Sequence, residues 1–341
     1  MKIRVAVNGA GRIGRSFVKL ALNNPEIEVV AVNDLADIDN IVYLIKHDSV
    51  YGPAQFTSSV SSDKTKLVLD GKEIIYLSEK DPQKLPWKNL GIDVVVESTG
   101  LFTTYEKAKV HLEAGAKRVV VTAPMKDDPA GIAGATVLMG VNESKFNGCL
   151  ITSDASCTTN AASPLIAILD EGIGIEKAVL NTAHANTINQ TIVDSANKRD
   201  VREGRAGAYN IVPTSTGAAI AVTKAFPKLE GLFDGIAMRV PVIAGSIVDV
   251  TFIAKRNTTV EEVNSILNKA SLEPRWSKVF AVTTEQLVSS DIIGSEFGSV
   301  ADLSLTRVVG GNLVKVLAWY DNEMGYTHTL LLHVLEVGKS K

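Results

Sequence analysis

The chain has 341 residues, more than one compact core organises, so two domains are expected. Hydrophobic residues make up 45% and charged residues 21%, a globular profile, and no apolar run is long enough to span a membrane. The net charge of −3 supplies no general attraction to nucleic acid or to an anionic membrane.

The N-terminus enters a strand pattern at once, at Ile3, Val5 and Val7, so no secretory signal is expected. Gly9-Ala10-Gly11-Arg12-Ile13-Gly14 follows directly, and Ile13, Phe17 and Leu20 then recur at helical spacing. A second strand, Val29 to Val32, ends at Asn33-Asp34, which places Asp34 roughly twenty residues beyond Gly14. Each part has a physical reason. Gly9 permits a tight turn, Gly11 lets the backbone approach a pyrophosphate, and Gly14 allows close packing of helix on strand. The pyrophosphate would rest on the helix N-terminus. Asp34 would bind a ribose 2′-hydroxyl and repel a 2′-phosphate, which favours NAD over NADP.

Further alternation follows. Asp93–Glu97 reads as a buried strand ending in Ser98-Thr99-Gly100, and a helical run from Tyr105 to Glu113 leads to the strand Arg118–Thr122. Short strands are expected at Val137–Val141 and Leu150–Thr152. This β/α order implies an α/β fold with a doubly wound, mostly parallel sheet. Ligands bind at the carboxyl ends of such strands, so Thr99, Thr122 and the Cys157 segment are expected to face one crevice.

The stretch Ala155-Ser156-Cys157-Thr158-Thr159-Asn160 lies where an apolar strand gives way to a helical run, Pro164 to Leu169. Ser and Thr there would cap the helix. Cys157 would then sit at the positive end of the helix dipole, which lowers a thiol from about 8.5 and favours the nucleophilic thiolate. The alternative is an ordinary buried cysteine beside a cap. The other cysteine, Cys149, reads as a core residue, and the pair flanks one strand in a poor geometry for a disulfide, so a reduced, cytoplasmic setting is expected.

The second half reads as α+β with a mixed or antiparallel sheet: strands at Ala178–His184, Gly235–Val240, Ser246–Ala254 and Leu313–Tyr320, and helices near Val260–Ala270 and from Asn322 onward. Residues 186–209 form a long polar segment carrying Lys198, Arg199, Arg202 and Arg205, a length that marks a functional or interface loop. His184 ends an apolar strand. Alone it reads as a hydrogen-bonded core histidine; beside a helix-terminus cysteine it becomes the natural base. No Cys/His cluster has metal-ligand spacing, so no metal is expected.

Together these pieces resemble the glyceraldehyde-3-phosphate dehydrogenase family over essentially the whole chain. The carriers are Val7–Arg15, Asn33-Asp34, Glu97–Gly100, Ala155–Asn160, His184, Pro213–Ala219, Arg239-Val240-Pro241 and Trp319–Glu323. The resemblance implies a phosphorylating, NAD-dependent oxidoreductase. Its Rossmann domain would span 1–156, completed by the C-terminal helix 322–341, with a catalytic domain at 157–321. Cys157 would attack the aldehyde and His184 would act as base. Gly9, Gly11, Arg12, Ile13, Gly14, Asp34, Lys80, Thr99, Thr122 and Asn322 would contact NAD. Thr187 and Arg239 would bind the substrate phosphate, and Ser156, Thr158, Thr216 and Gly217 the inorganic phosphate. A homotetramer is implied, with residues 186–209 at the interface; a membrane partner is not, and the basic cluster is read as serving subunit contacts rather than nucleic acid.

Departures from the family pattern are Asn186 for a usual tyrosine, Ile220 for a lysine, Met324 for a tryptophan, Ala161 for a second cysteine, and Ser195-Ala196 for a pair that often carries proline in strictly NAD-using members. The last leaves room for some NADP use. The rival readings are an erythrose-4-phosphate dehydrogenase, an acyl-phosphate reductase of the aspartate-semialdehyde dehydrogenase type, and a non-catalytic binding relative.

Overall fold

The computed structural model describes residues 2–198 and 200–340. Contacts divide them into two compact units, one of residues 1–137, 142–155 and 330–341, the other of residues 138–141 and 156–329.

The first unit is built on a nine-stranded sheet. Its strands in chain order are β1 (Ile3–Asn8), β2 (Ile27–Asn33), β3 (Ser58–Val60), β4 (Lys66–Leu69), β5 (Lys72–Leu77), β6 (Val94–Glu97), β7 (Arg118–Val121), β8 (Gly134–Thr136) and β9 (Ile151–Ser153). Their spatial order is β8-β9-β7-β6-β1-β2-β5-β4-β3. Pairing is parallel from β8 through β5 and antiparallel only at the edge, β5-β4-β3. The doubly wound sheet expected from the sequence is therefore present. Val5, Val7, Val94, Val95, Val96, Val119 and Val120 are fully buried, as strands covered on both faces require.

Two local readings differ. The expected strand at 137–141 lies earlier, at Gly134–Thr136; Val137 makes the last bond to the neighbouring strand, its N–H donating to the Ser153 carbonyl at 3.0 Å, and Leu138 is buried beyond it. The helical run 105–113 is two short helices, α3 (Tyr105–Ala108) and α4 (Val110–Glu113), joined at Lys109. Earlier in the chain come α1 (Arg12–Leu22) and α2 (Ile38–Lys46).

The second unit holds an eight-stranded mixed sheet. It comprises β10 (Ile175–Ala185), β11 (Val212–Ser215), β12 (Phe233–Val240), β13 (Ser246–Ala254), β14 (Phe280–Thr283), β15 (Ser299–Asp302), β16 (Arg307–Val309) and β17 (Leu313–Tyr320). The order is β11-β12-β10-β13-β17-β15-β14, with β16 on β17. Strands β10 and β12 run parallel, whereas β10–β13 and β13–β17 are antiparallel. The strict alternation of buried and half-exposed residues along β13 shows a sheet covered on one face only. The helices are α5 (Cys157–Gly172), α6 (Ala218–Ala225) and α7 (Val260–Ser271).

The last helix, α8 (Met324–Lys339), ends in the first unit. Arg118 donates to the Ser340 carbonyl at 2.9 Å, and a Cβ at Gly338 would come within 2.5 Å of Ile3. His333 on this helix is fully buried, 2.7 Å from the Thr152 hydroxyl and 3.3 Å from Asp154, itself fully buried. Replacing His333 with leucine removes a polar partner from a buried carboxylate, so His333→Leu is expected to cost about 1–3 kcal/mol in urea unfolding; an unchanged midpoint would show that this pair does not hold the helix.

Candidate active site

The chain leaves β9 through Asp154 and Ala155. Ala155 has φ +53°, in the left-handed region, where an L-residue is strained by about 1–2 kcal/mol. Ser156 follows as the N-cap, its Oγ accepting the Thr159 N–H at 3.1 Å, so the capping read from sequence is present and Cys157 is the first residue of α5. Its Sγ lies 3.3 Å from Nε2 of His184, near the end of β10. His184 Nδ1 is 2.7 Å from the Ala185 carbonyl. The parallel register of β10 and β12 sets Arg239 opposite His184. The Arg239 guanidinium lies against His184 Nδ1 and reaches the Ala185 carbonyl at 3.3 Å.

The electrostatics reverse one expectation. Burial pushes the Cys157 thiol up, outweighing the pull of the Arg239 charge and of the Thr158 and Cys157 N–H groups. His184 is held down to about 3, first by burial and then by Arg239, with the Ala185 carbonyl acting the other way. A helix terminus is worth about half a charge; removal from water is the larger effect here. The resting pair is a neutral thiol beside a neutral imidazole.

Tyr320, at the end of β17, closes the cluster from behind. Its ring meets His184 edge-on at 6.0 Å. Thr182 donates to the Ile247 carbonyl at 3.0 Å, so it accepts from the Tyr320 hydroxyl at 2.8 Å, and Tyr320 in turn accepts from Thr158 at 2.9 Å. Tyr320 falls within the Trp319–Glu323 motif, and the apolar alternation Val314, Val316, Ala318, Tyr320 along β17 is the sequence signal that places it on the buried face.

Of the residues expected in the inorganic-phosphate set, Ser156 accepts the Thr159 N–H and lies 2.8 Å from the Thr159 hydroxyl, and the Thr158 hydroxyl is bonded to Tyr320. Thr187 donates through both N–H and hydroxyl to Gln190 Oε1, at 2.9 and 3.1 Å. Thr216 accepts from the Ala218 N–H at 3.1 Å, and Gly217 begins α6 with no side-chain cap, leaving first-turn N–H groups for an anion. Asn322 Oδ1 accepts from Ser246 Oγ at 3.0 Å and Gly245 N–H at 3.2 Å; Ser246 also accepts the Ala185 N–H, which ties Asn322 to the backbone beside His184.

In the first unit a cavity of about 420 Å³ is lined by Asn8, Gly9, Gly11, Asn33, Asp34, Lys80 and Thr99, among others. Gly9 has φ +98°, and a Cβ there would lie 2.8 Å from the Thr99 nitrogen. A Cβ on Gly14 would lie 2.0 Å from the Gly9 carbonyl, whereas at Gly11 it would meet nothing within 4 Å. Gly11 caps α1 without a side chain, so the helix presents bare N–H groups beside open space. Asp34 accepts the Ala10 N–H at 2.6 Å and the Ala36 N–H at 2.9 Å, which locks it to the glycine turn. These features fit a dinucleotide, with pyrophosphate on the helix terminus and a ribose at Asp34.

Arg12, Ile13 and Thr122 lie outside this lining. Arg12 instead pairs with Asp48 at 2.9 Å and stands over the Tyr51 ring. Burial pushes Asp48 up, but the Val50 N–H and Arg12 pull harder and hold it at about 2. Thr122 donates to the Glu97 carbonyl at 3.2 Å. Cys149 is half-buried rather than in the core, because its segment is a loop whose carbonyl binds Arg118.

Within 186–209, Arg202 pairs with Asp200 and Arg205 with Asp194, each at 2.8 Å; Arg199 lies outside the described residues. Among the described residues no cluster of three His, Cys, Asp or Glu could hold a metal ion. Nor is any of their helices long and apolar enough to cross a membrane.

Residues 3–105 match the family profile described as glyceraldehyde 3-phosphate dehydrogenase, NAD binding domain, and residues 156–322 match its C-terminal domain. The chain is 45% identical over 333 residues to the glyceraldehyde-3-phosphate dehydrogenase of Geobacillus stearothermophilus, covering 97% of each protein. It is 46% identical over 331 residues to that of Thermotoga maritima, covering 96% of this chain and 97% of the relative. It is 42% identical over 330 residues to glyceraldehyde-3-phosphate dehydrogenase 1 of Kluyveromyces lactis, covering 96% and 98%.

The lowered His184 has a consequence for stability. Between its ordinary 6.5 and about 3, the unfolded chain binds a proton that the folded chain refuses, so folding weakens as pH falls through that window. At pH 5 the penalty is about 2 kcal/mol relative to neutral pH. His184→Gln is expected to lose that much less stability than the wild type between pH 7 and pH 5 in urea titrations; parallel losses would show that His184 is protonated in the fold.

Proposed function

Since this chain belongs to the glyceraldehyde-3-phosphate dehydrogenase family, we propose that its Cys157–His184 pair oxidises D-glyceraldehyde 3-phosphate to 1,3-bisphosphoglycerate with NAD and inorganic phosphate, in glycolysis or gluconeogenesis. The observation that carries this reading is the 3.3 Å approach of Cys157 Sγ, at the start of a helix, to Nε2 of His184.

His184 takes the thiol proton as the sulfur bonds to the aldehyde carbon, giving a hemithioacetal on Cys157. The Cys157 N–H and the His184 imidazolium meet the developing oxyanion, and the imidazolium gives its proton to it, which forms the hydroxyl and restores the neutral imidazole. His184 then removes the hydroxyl proton as the C–H bond breaks, and a thioester remains on Cys157. NAD supplies the acceptor for the departing hydride. A phosphate oxygen attacks the thioester carbon, the C–S bond breaks, and Cys157 leaves as the thiolate. Arg239, near His184, is suited to the substrate phosphate, with Thr187 as a second donor, and the uncapped start of α6 at Thr216-Gly217 to the attacking phosphate. Gly9, Gly11, Asp34, Lys80 and Thr99, which line the cavity, would hold NAD, with Gly14 packed on the Gly9 carbonyl, and the Asn322 amide would hold the carboxamide. The Asp34 carboxylate favours NAD over NADP. The relatives in Geobacillus stearothermophilus, Thermotoga maritima and Kluyveromyces lactis are named for glyceraldehyde 3-phosphate, which supports the triose reading over the erythrose 4-phosphate one.

NADH formation from glyceraldehyde 3-phosphate should require added phosphate, exceed that from erythrose 4-phosphate, and fall on replacing NAD by NADP. Cys157→Ala should lower it by about four orders of magnitude or more. Phosphate-independent turnover, or full activity of the alanine variant, would remove the proposal.

The exposed face of the second sheet carries Val179, Ile236 and Leu313, and residues 186–209 expose Ile188 at 99% and Ile192 at 87%. Apolar surface of this extent suits coverage by further copies of the chain, and we infer a homotetramer. A cytoplasmic setting suits two unpaired cysteines, one of them a nucleophile that oxidation would silence. Analytical ultracentrifugation should give the tetramer mass; a monomer at micromolar concentration would exclude it.

A further inference from the structure

We propose that the buried pair Glu97–His111 is a positioning device for the cofactor, setting the shape of the nucleotide cavity through one hydrogen-bonded chain of fixed direction. This deepens the NAD reading and rests on it.

Glu97 ends β6 at 2% exposure, and His111 on α4 is fully buried. The Glu97 carboxylate accepts from four donors. Oε1 takes the Thr99 N–H at 2.8 Å and the Thr99 hydroxyl; Oε2 takes Asn8 Nδ2 at 2.6 Å and His111 Nε2 at 3.0 Å. No lysine or arginine is among these partners. The Trp87 indole N–H donates to His111 Nδ1 at 3.2 Å, so the imidazole hydrogen must sit on Nε2, aimed at Glu97. On the other side, Asn8 has given its NH₂ to Glu97, and its Oδ1 accepts from Asn33 Nδ2 at 2.8 Å. Asn33 in turn donates to the Glu79 carbonyl at 3.0 Å and accepts the Glu79 N–H at 2.9 Å.

Every link therefore has one allowed polarity, from Trp87 to the backbone of Glu79. The chain ties together the carboxyl ends of β1, β2 and β6, which the backbone ladders already hold in register. It fixes what the ladders do not: the side-chain amides of Asn8 and Asn33, the Thr99 hydroxyl and the Glu79-Lys80 turn. Asn8, Asn33, Glu79, Lys80 and Thr99 all line the cavity.

Glutamine at 97 cannot satisfy this pattern. Turned toward Asn8 and His111, its NH₂ would meet only donors; turned toward Thr99, it would face the Thr99 N–H and a hydroxyl that already accepts the Leu101 N–H at 3.1 Å and would have to rotate away from its present donation. His111 cannot change tautomer to accept, because Trp87 already holds Nδ1. The misfit passes to Asn8, then Asn33, then the Glu79-Lys80 turn, which are the walls of the cavity. Glutamine at 111 is different, since its oxygen can accept from Trp87 while its NH₂ donates to Glu97.

The test is calorimetric titration with NAD, together with separate KM and kcat values, on the full-length wild type, Glu97→Gln, His111→Leu and His111→Gln, below the unfolding midpoint of each. Glu97→Gln and His111→Leu should weaken NAD binding by about tenfold, the effect of one unsatisfied buried hydrogen bond. The loss should appear in the KM for NAD, with kcat and the aldehyde KM little changed. His111→Gln should retain affinity near the wild type, which a purely packing role would not produce. If Glu97→Gln does not fold, the contrast between leucine and glutamine at 111 decides. NAD affinity unchanged in the folded variants, or equal losses in His111→Leu and His111→Gln, would overturn the proposal. A wild type that does not bind NAD would instead overturn the cofactor reading beneath it.

Discussion

A sulfur that must be ionised to react is held where water does not stabilise its charge. Desolvation dominates the ionisation of Cys157, and the surrounding structure of the second unit answers to it. Helix α5 brings partial positive charge from its first turn, β10 brings an imidazole whose Nε2 lies 3.3 Å from the sulfur, and β12 brings a full positive charge at Arg239. The same charge depresses His184. Proton transfer from thiol to imidazole creates two opposite charges in contact and no net charge, so it escapes the penalty that each ionisation would meet alone.

That arrangement depends on strand register. His184 and Arg239 meet because β10 and β12 are parallel and aligned residue for residue from Ala178 to Ala185. A slip of one position would turn Arg239 to the opposite face of the sheet. The chain Thr158–Tyr320–Thr182–Ile247 joins α5, β17, β10 and β13 behind the reacting atoms, so the position of the nucleophile is set by four elements distant in sequence.

The first unit solves a different problem with different means. An anionic ligand is met by backbone N–H groups, which need glycine for access rather than side chains for charge. Gly9 and Gly14 are required by contact: the atoms a Cβ would strike belong to the neighbouring turn and strand. Where side chains do contribute, at Glu97, Asn8 and Asn33, they are buried behind the cavity wall and act by fixing one another's direction.

Sequence alone determined what local chemistry dictates. The glycine turn after β1, Asp34 after β2, the capping serine before Cys157 and a histidine at the end of an apolar strand all depend on neighbours close in the chain or on a short period. The β/α alternation likewise determined the sheet's class. Only tertiary structure decided the rest. It paired Arg239 with His184 and Arg12 with Asp48, engaged the Ser156 and Thr158 hydroxyls internally, and placed Tyr320 behind the nucleophile. It also reversed the direction of the thiol's shift. A helix dipole is legible from a cap and a periodic run, whereas desolvation is the sum of what packs around the sulfur, and no local pattern carries that sum.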